Sequence, residues 1–206
     1  MTMASHHTDP TALAIDGMDS GHFEHFDALY ASNSDPWGYK SLWYERRRFA
    51  LIAAMLDKQL YESGFEPGCS NGTLTAKLAP RCRQLLAVDG SQEAVLLAQQ
   101  STHHLANVKI TKGEVPTDWP HGTFDLIVLS DFLYYLHPEA ITDVAMKSKS
   151  SLRKRGTILA GHWKGSAHDF LTPGGDCVHA ILSQVLGPPN GGSYADSDQL
   201  ISTWVS

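Results

Sequence analysis

A chain of 206 residues that is 42% hydrophobic and 18% charged is long enough to bury one core without staples, and its composition excludes wholesale disorder. Its formal net charge of −6 excludes a protein built to coat phosphate backbones, so no nucleic-acid partner is expected. Cys69, Cys82 and Cys177 lack the paired spacing of a zinc or redox site, Met1–Gly21 holds no apolar leader, and no stretch approaches the ~18 apolar residues of a spanning helix, so a cytoplasmic protein without a metal and without membrane insertion is expected.

Met1–Ser20 is polar, carries His6 and His7, and is expected to be mobile at its start. Phe23, Phe26, Leu29 and Tyr30 fall on one helical face and predict a helix over about Gly21–Ser32. Asn33–Tyr39 reads as a turn by its Asn, Asp, Pro and Gly. Ser41 is placed to cap a second helix, with Leu42, Phe49, Ile52, Ala53 and Leu56 at helical spacing. Between Phe23 and Phe49 lie 8 of the chain's 19 Phe, Trp and Tyr residues. Such a cluster is either core or a lid whose ring faces stack on a ligand and attract a cation. Glu45-Arg46-Arg47-Arg48 reads first as a solvated helix face; its functional alternative is a bidentate fork on a carboxylate, with Arg48 preferred.

Leu60–Gly90 is the stretch around which the rest is organised. It predicts a strand ending at Phe65-Glu66, a glycine turn over Gly68–Gly72, a helix over Thr73–Ala79 closed by Pro80, and a buried parallel strand that delivers Asp89 to its carboxyl end. In an open α/β sheet, ligands sit beyond those ends, where an acid after the second strand takes the hydroxyls of a ribose. The turn reads acid-x-Gly-x-Ser-x-Gly from Glu66 to Gly72, with Ser70 where a glycine is commonest. Glu66 would repel a pyrophosphate but suits a cofactor carrying an ammonium group. This pattern resembles motif I of the class I S-adenosylmethionine-dependent methyltransferases; by itself it is also an ordinary strand-to-helix turn.

Ser91 is placed to cap a helix running to about Gln100, with Ala94, Leu97 and Ala98 inward. Asn107–Lys112 predicts a third strand, followed by Gly113-Glu114-Val115, and Phe124–Ser130 is the clearest buried strand. Pro138 opens a helix with Ile141, Val144 and Ala145 inward; Lys147, Lys149, Arg153, Lys154 and Arg155 cluster at its end and in a following turn. Gly156–Gly161 predicts a fifth strand ending at His162-Trp163, and Asp176–Leu186 a last helix. Beyond it only Gln199–Val205 has strand pattern, so the C-terminal end looks shortened or rearranged.

From SDPWGY and YERRRF through FEPGCSNG, LAVDGS, FDLIVLSDFLYYL and LAGHW, the chain resembles the nodulation protein S family, N-methyltransferases of Nod-factor synthesis, over roughly Phe23–His162. The resemblance implies a Rossmann-like class I methyltransferase fold: a mostly parallel sheet with helices on both faces, in one domain of residues 1–206, with a helical lid over 1–58 and an α/β core over 59–206. It implies S-adenosylmethionine as cofactor, S-adenosylhomocysteine as product, and an oligosaccharide partner whose free amine, at the non-reducing end of a de-N-acetylated chitooligosaccharide, takes the methyl group. Carried onto this sequence, the cofactor positions are Trp37, Arg48, Glu66, Gly68, Cys69, Ser70, Gly72, Asp89, Gly90, Glu114, Val115 and Ser130. Glu114 reads equally as a loop acid. Tyr30, Trp43, Tyr134 and Trp163 are expected at the acceptor, and Asp131 and His162, at strand ends, are expected to orient the amine or take its proton. The alternatives are a methyltransferase of the same fold acting on another small-molecule amine or hydroxyl, and a non-catalytic adenosyl-binding regulator.

Overall fold

The computed structural model describes residues 22–206; the segment Met1–Ser20, expected to be mobile, lies outside the described residues. In chain order come α1 (His22–Ser32), α2 (Trp43–Ala54), β1 (Gly64–Pro67), α3 (Thr73–Leu78), β2 (Leu85–Asp89), α4 (Gln92–Thr102) and β3 (Val108–Lys112). There follow β4 (Phe124–Ser130), α5 (Pro138–Ser151), β5 (Leu152–Trp163), α6 (Gly174–Leu186), β6 (Gly192–Ala195) and β7 (Gln199–Val205). They form one seven-stranded sheet in the order β3-β2-β1-β4-β5-β7-β6. Strands β1 to β5 pair in parallel, and β7 is antiparallel to both β5 and β6. This is a doubly wound, Rossmann-like α/β sheet whose order reverses between β1 and β4.

The unbroken apolar run of β4 has a physical reason. Leu126 and Val128 face one layer, with Phe49, Ile52, Leu74 and Leu78. Ile127 and Leu129 face the other, with Ile141, Val144, Val178 and Leu182 of α5 and α6. A strand covered on both faces has no solvent side to carry polar residues. Helix α4 starts where Ser91 Oγ accepts from the Ala94 amide at 3.1 Å, and α5 has Pro138 in its first turn, where a missing amide costs nothing.

Several expectations are corrected. Ser41 does not cap α2: Leu42 holds the N-cap without a side-chain bond, and the Ser41 hydroxyl turns back to the Gly38 carbonyl at 3.4 Å. Helix α2, assigned by sequence to the lid, buries Phe49, Ile52 and nearby Leu56 against α3, β4 and β5, so it is a layer of the core. Pro80 sits inside a 3₁₀ turn, Ala79–Arg81, that prolongs α3. The basic run Arg153–Arg155 is the opening of β5, where the register jumps from Phe124 opposite Leu152 to Leu126 opposite Thr157 and Arg155 takes φ of +60°. The last two strands form an antiparallel pair, because β6 exists. Being short, glycine-led and mostly exposed, β6 has no apolar alternation and is held by its pairing with β7. Among the described residues, no helix is long and apolar enough to cross a membrane.

Candidate active site

A cavity of about 550 Å³ lies at the carboxyl ends of β1, β2 and β4, walled by α1, the turn leading into α2 and residues 166–170. The glycine turn forms its floor. Gly68, Ser70 and Gly72 have φ of +70°, +53° and +78°, which bends the chain sharply from β1 into α3. Gly68 and Ser70 line the cavity; Gly72 does not. A Cβ on Gly72 would lie 3.0 Å from the Ala98 Cα, so this glycine lets α3 approach α4.

Asp89 ties the two turns together. Its Oδ2 accepts from the Ser70 amide at 2.8 Å and its Oδ1 from the Ser91 amide at 3.0 Å. Burial pushes its pKa up to about 6, against the pull of these bonds. A carboxylate has about four acceptor positions, so capacity remains for a pair of ligand hydroxyls. Gly90 and Gly113 line the same side, and Glu114 and Val115 follow at its rim. Glu66 stands behind the turn. It is 2% exposed, lines a recess of about 20 Å³ with Cys69 in place of the main cavity, and its Oε2 has no partner among the described residues. Burial raises its pKa to about 8. The recess is large enough for about one water. A ribose-competent acid, bare glycine backbone and an orphaned buried carboxyl oxygen are groups that fit an adenosyl amino acid.

The aromatic segment closes the top. Asp27 of α1 accepts from the Ser91 hydroxyl at 2.5 Å and the Glu93 amide at 3.2 Å, docking α1 on the start of α4. The Tyr30 hydroxyl donates to Ser70 Oγ at 2.5 Å. Asn71 Nδ2 donates to the Ser34 carbonyl and to Asp35 Oδ1, which fastens the turn before α2 to the glycine turn. Asp35 also accepts from the Tyr39 amide at 2.8 Å. Trp37 stacks on Tyr39 with centroids 5.7 Å apart and meets Tyr30 edge-on. Gly90 is bare for a reason: a Cβ there would fall 1.9 Å from the Phe23 ring.

At the β4 end the geometry departs from expectation. Asp131, at φ +54°, pairs through Oδ2 with Arg48 and accepts from the Ser130 hydroxyl at 3.0 Å. Its Oδ1 accepts from the Trp163 amide at 2.9 Å and the Tyr134 hydroxyl at 3.0 Å. A carboxylate so occupied organises its neighbours and has no free lone pair aimed at an amine, although it lines the cavity. His162 does not line the cavity. It is 1% exposed, with Nδ1 3.2 Å from His179 Nε2, and His179 Nδ1 lies 3.0 Å from Ser202 Oγ. Burial lowers the pKa of each to about 3, so both are neutral core residues.

Arg48 is 4% exposed and already paired with Asp131 and with Glu45 of its own helix, so it is a bridge between acids and not a free fork for a carboxylate. Trp43 is 68% exposed and outside the cavity. Trp37, Arg48, Gly68, Ser70, Asp89, Gly90, Glu114, Val115, Ser130, Tyr30, Tyr134 and Trp163 all come together around it. Sequence reasoning missed Asp35, Tyr39, Tyr44, Glu45 and Phe170. Phe170 stacks on Tyr134 at 4.0 Å from a loop with no pattern, whereas Asp35 stood in a turn signal that could have marked it.

The family model described as Nodulation protein S (NodS) matches residues 28–169. Nodulation protein S of Rhizobium tropici is 28% identical over 194 residues, covering 90% of this chain and 80% of the relative. The N-methyltransferase NodS of Bradyrhizobium japonicum WM9, solved with S-adenosyl-L-homocysteine, is 24% identical with a TM-score of 0.77 over 90% of this chain and 98% of its own, which shows a common fold. A protein of Pseudomonas syringae, provisionally named a methyltransferase, is 36% identical with a TM-score of 0.71 over 80% of this chain and 100% of its own. The fold is thus the Rossmann-like class I methyltransferase fold. With the family model spanning most of the described residues, the chain belongs to the nodulation protein S (NodS) family.

Proposed function

We propose that the chain transfers a methyl group from S-adenosylmethionine to the free amine at the non-reducing end of a de-N-acetylated chitooligosaccharide, a step of Nod-factor synthesis. Its family makes it an S-adenosylmethionine-dependent N-methyltransferase. The acceptor is carried over from the family and is supported by one observation. The cavity joins an adenosine-competent edge at Asp89 to an acidic end, where Glu45 and Asp131 share the single guanidinium of Arg48. A net negative end suits a cation, and a protonated acceptor amine is one.

The donor, when bound, supplies an activated methyl group open to in-line displacement. The residues of the chain then have to orient, exclude water and manage a proton. Asp89 would hold the ribose hydroxyls, with Gly68, Gly90 and Gly113 giving backbone access. Glu66 would face the donor's ammonium from behind the turn. Tyr134 and Trp163 would wall the reacting end, and Trp37 and Tyr30 would shut out water from above.

Chitooligosaccharides incubated with protein and S-adenosylmethionine test this by mass spectrometry. The de-N-acetylated oligomer should gain one methyl group and the fully N-acetylated oligomer none. Methylation of unrelated amines but not of the oligomer would move the chain to a different acceptor.

A further inference from the structure

We propose that Glu45 is the residue that holds the acceptor as its ammonium form and takes the proton before methyl transfer. The inference rests on the amine-acceptor reading above and assigns the proton acceptor within it. The sequence nominated Asp131 and His162 for this work, but the first is saturated by four donors and the second is sealed in the core. Asp169, on the loop that carries Phe170, also lines the cavity but is half-buried, so the buried carboxylate left at that end is Glu45. It is 2% exposed and lines the cavity. Its Oε2 is taken by Arg48, while its Oε1 has no hydrogen-bond partner among the described residues.

Position separates Glu45 from the donor's edge. Asp89 and Gly113 close the cavity from the β2 and β3 ends; Arg48 bridges Glu45 to Asp131 at the β4 end, beside Trp163 of β5. Ser41, Leu42 and Tyr44, flanking Glu45 in sequence, line the cavity too, and Leu42 is 43% exposed, so this side leads outward as an oligosaccharide requires. The charged and titratable groups facing Glu45 are Arg48 and Tyr44 on its helix, Tyr39 and Asp35 on the preceding turn, and Asp131 just past the end of β4. Burial raises its pKa to about 7, Asp131 adding and Arg48 opposing. A carboxyl in that range can exchange a proton with a sugar ammonium near neutral pH without a large penalty either way.

The step balances. The ammonium passes one proton to Glu45 Oε1, leaving a neutral amine; its lone pair forms the N–C bond as the S–C pair returns to sulfur. The product is a secondary ammonium and a neutral thioether, and Glu45 returns its proton to solvent when the product leaves.

The test uses the whole chain with Glu45→Gln and Glu45→Asp. Calorimetry with S-adenosylhomocysteine comes first, then titration of the loaded protein with de-N-acetylated and fully acetylated chitooligosaccharide. We expect the wild type to prefer the amine form, Glu45→Gln to erase about tenfold of that preference with S-adenosylhomocysteine affinity within about twofold, and Glu45→Asp to restore part of it. The wild-type preference should also fall as pH drops through about 7, with the acetylated oligomer unaffected; this arm stands even if Glu45→Gln fails to fold. An unchanged preference in Glu45→Gln, or a flat wild-type profile, overturns the assignment of Glu45. Loss of S-adenosylhomocysteine affinity by the same factor also overturns it, because the carboxylate then serves the donor. A wild type that binds and methylates no amine sugar overturns the acceptor reading, and this proposal with it.

Discussion

A few side chains decide this site, and their roles follow from what else they touch. Asp89 holds both turns with separate oxygens, so removing it costs a ligand acceptor and the alignment of Ser70 and Ser91 together. Asp89→Ala should weaken S-adenosylhomocysteine binding by about 10- to 100-fold, the worth of charged hydrogen bonds; unchanged calorimetric affinity would sink its role. His162 gives the opposite expectation. As a buried partner of His179, its replacement by Ala should cost about 2–3 kcal/mol in urea unfolding. Turnover per folded molecule should stay near wild type, and lost turnover with full stability would return His162 to the reaction. The motif residues Gly68 and Asp89 were legible in the sequence because a glycine turn and an acid at a strand end are local patterns. Glu45 was not, because a charged residue among arginines looks solvated until the fold wraps Tyr39, Asp131 and the cavity around it.

Elements were legible wherever one periodicity ruled. The buried strand Phe124–Ser130 and the Ser91-capped helix came through, since burial on both faces and a side-chain cap leave direct marks on sequence. Strand β6 left none, being exposed and fixed only by β7. Helix α2 was assigned to the wrong layer because core and lid helices carry the same apolar spacing, and only contact with Leu126 and Leu159 tells them apart. The lid proposal rests on α1 and the turn after it, which are docked through Asp27, Tyr30 and Asp35. Gly90→Ala should push Phe23 off its seat, given the 1.9 Å approach. Hydrogen exchange over 22–32 should then quicken while β1 and β4 keep their protection, and cofactor should slow it in the wild type. Equal exchange in every state would make α1 a fixed part of the core.

For the whole molecule, the site's acids set a pH signature. Burial raises Glu66, Glu45 and Asp89 to about 8, 7 and 6. Groups with folded pKa above the unfolded value contribute stability that is complete below the ordinary carboxyl range and is lost as pH rises through those values. Asp196 works the other way: burial opposes it, but the Asp198 and Gln199 amides, Arg47 and Tyr194 hold it at about 2. Its contribution is present above the ordinary carboxyl range and is lost as pH falls through about 2. Neutral burial of His162 and His179 raises stability as pH climbs through the ordinary histidine range, so the ligand-free Tm should fall between about pH 7 and about pH 8, and Glu66→Gln should flatten that fall, a gain of about 1 kcal/mol at the upper end moving Tm by ~2–4 °C. A Tm independent of pH over that range, or a Glu66→Gln profile like wild type, contradicts the buried-acid account. The destination of the methyl group defines the reaction. S-adenosylmethionine labelled at its methyl carbon, turned over with a chitooligosaccharide de-N-acetylated at its non-reducing end, should give one labelled carbon coupled by NMR to that terminal amine nitrogen. Label on a hydroxyl oxygen, on an internal residue, or left wholly on the donor would contradict it.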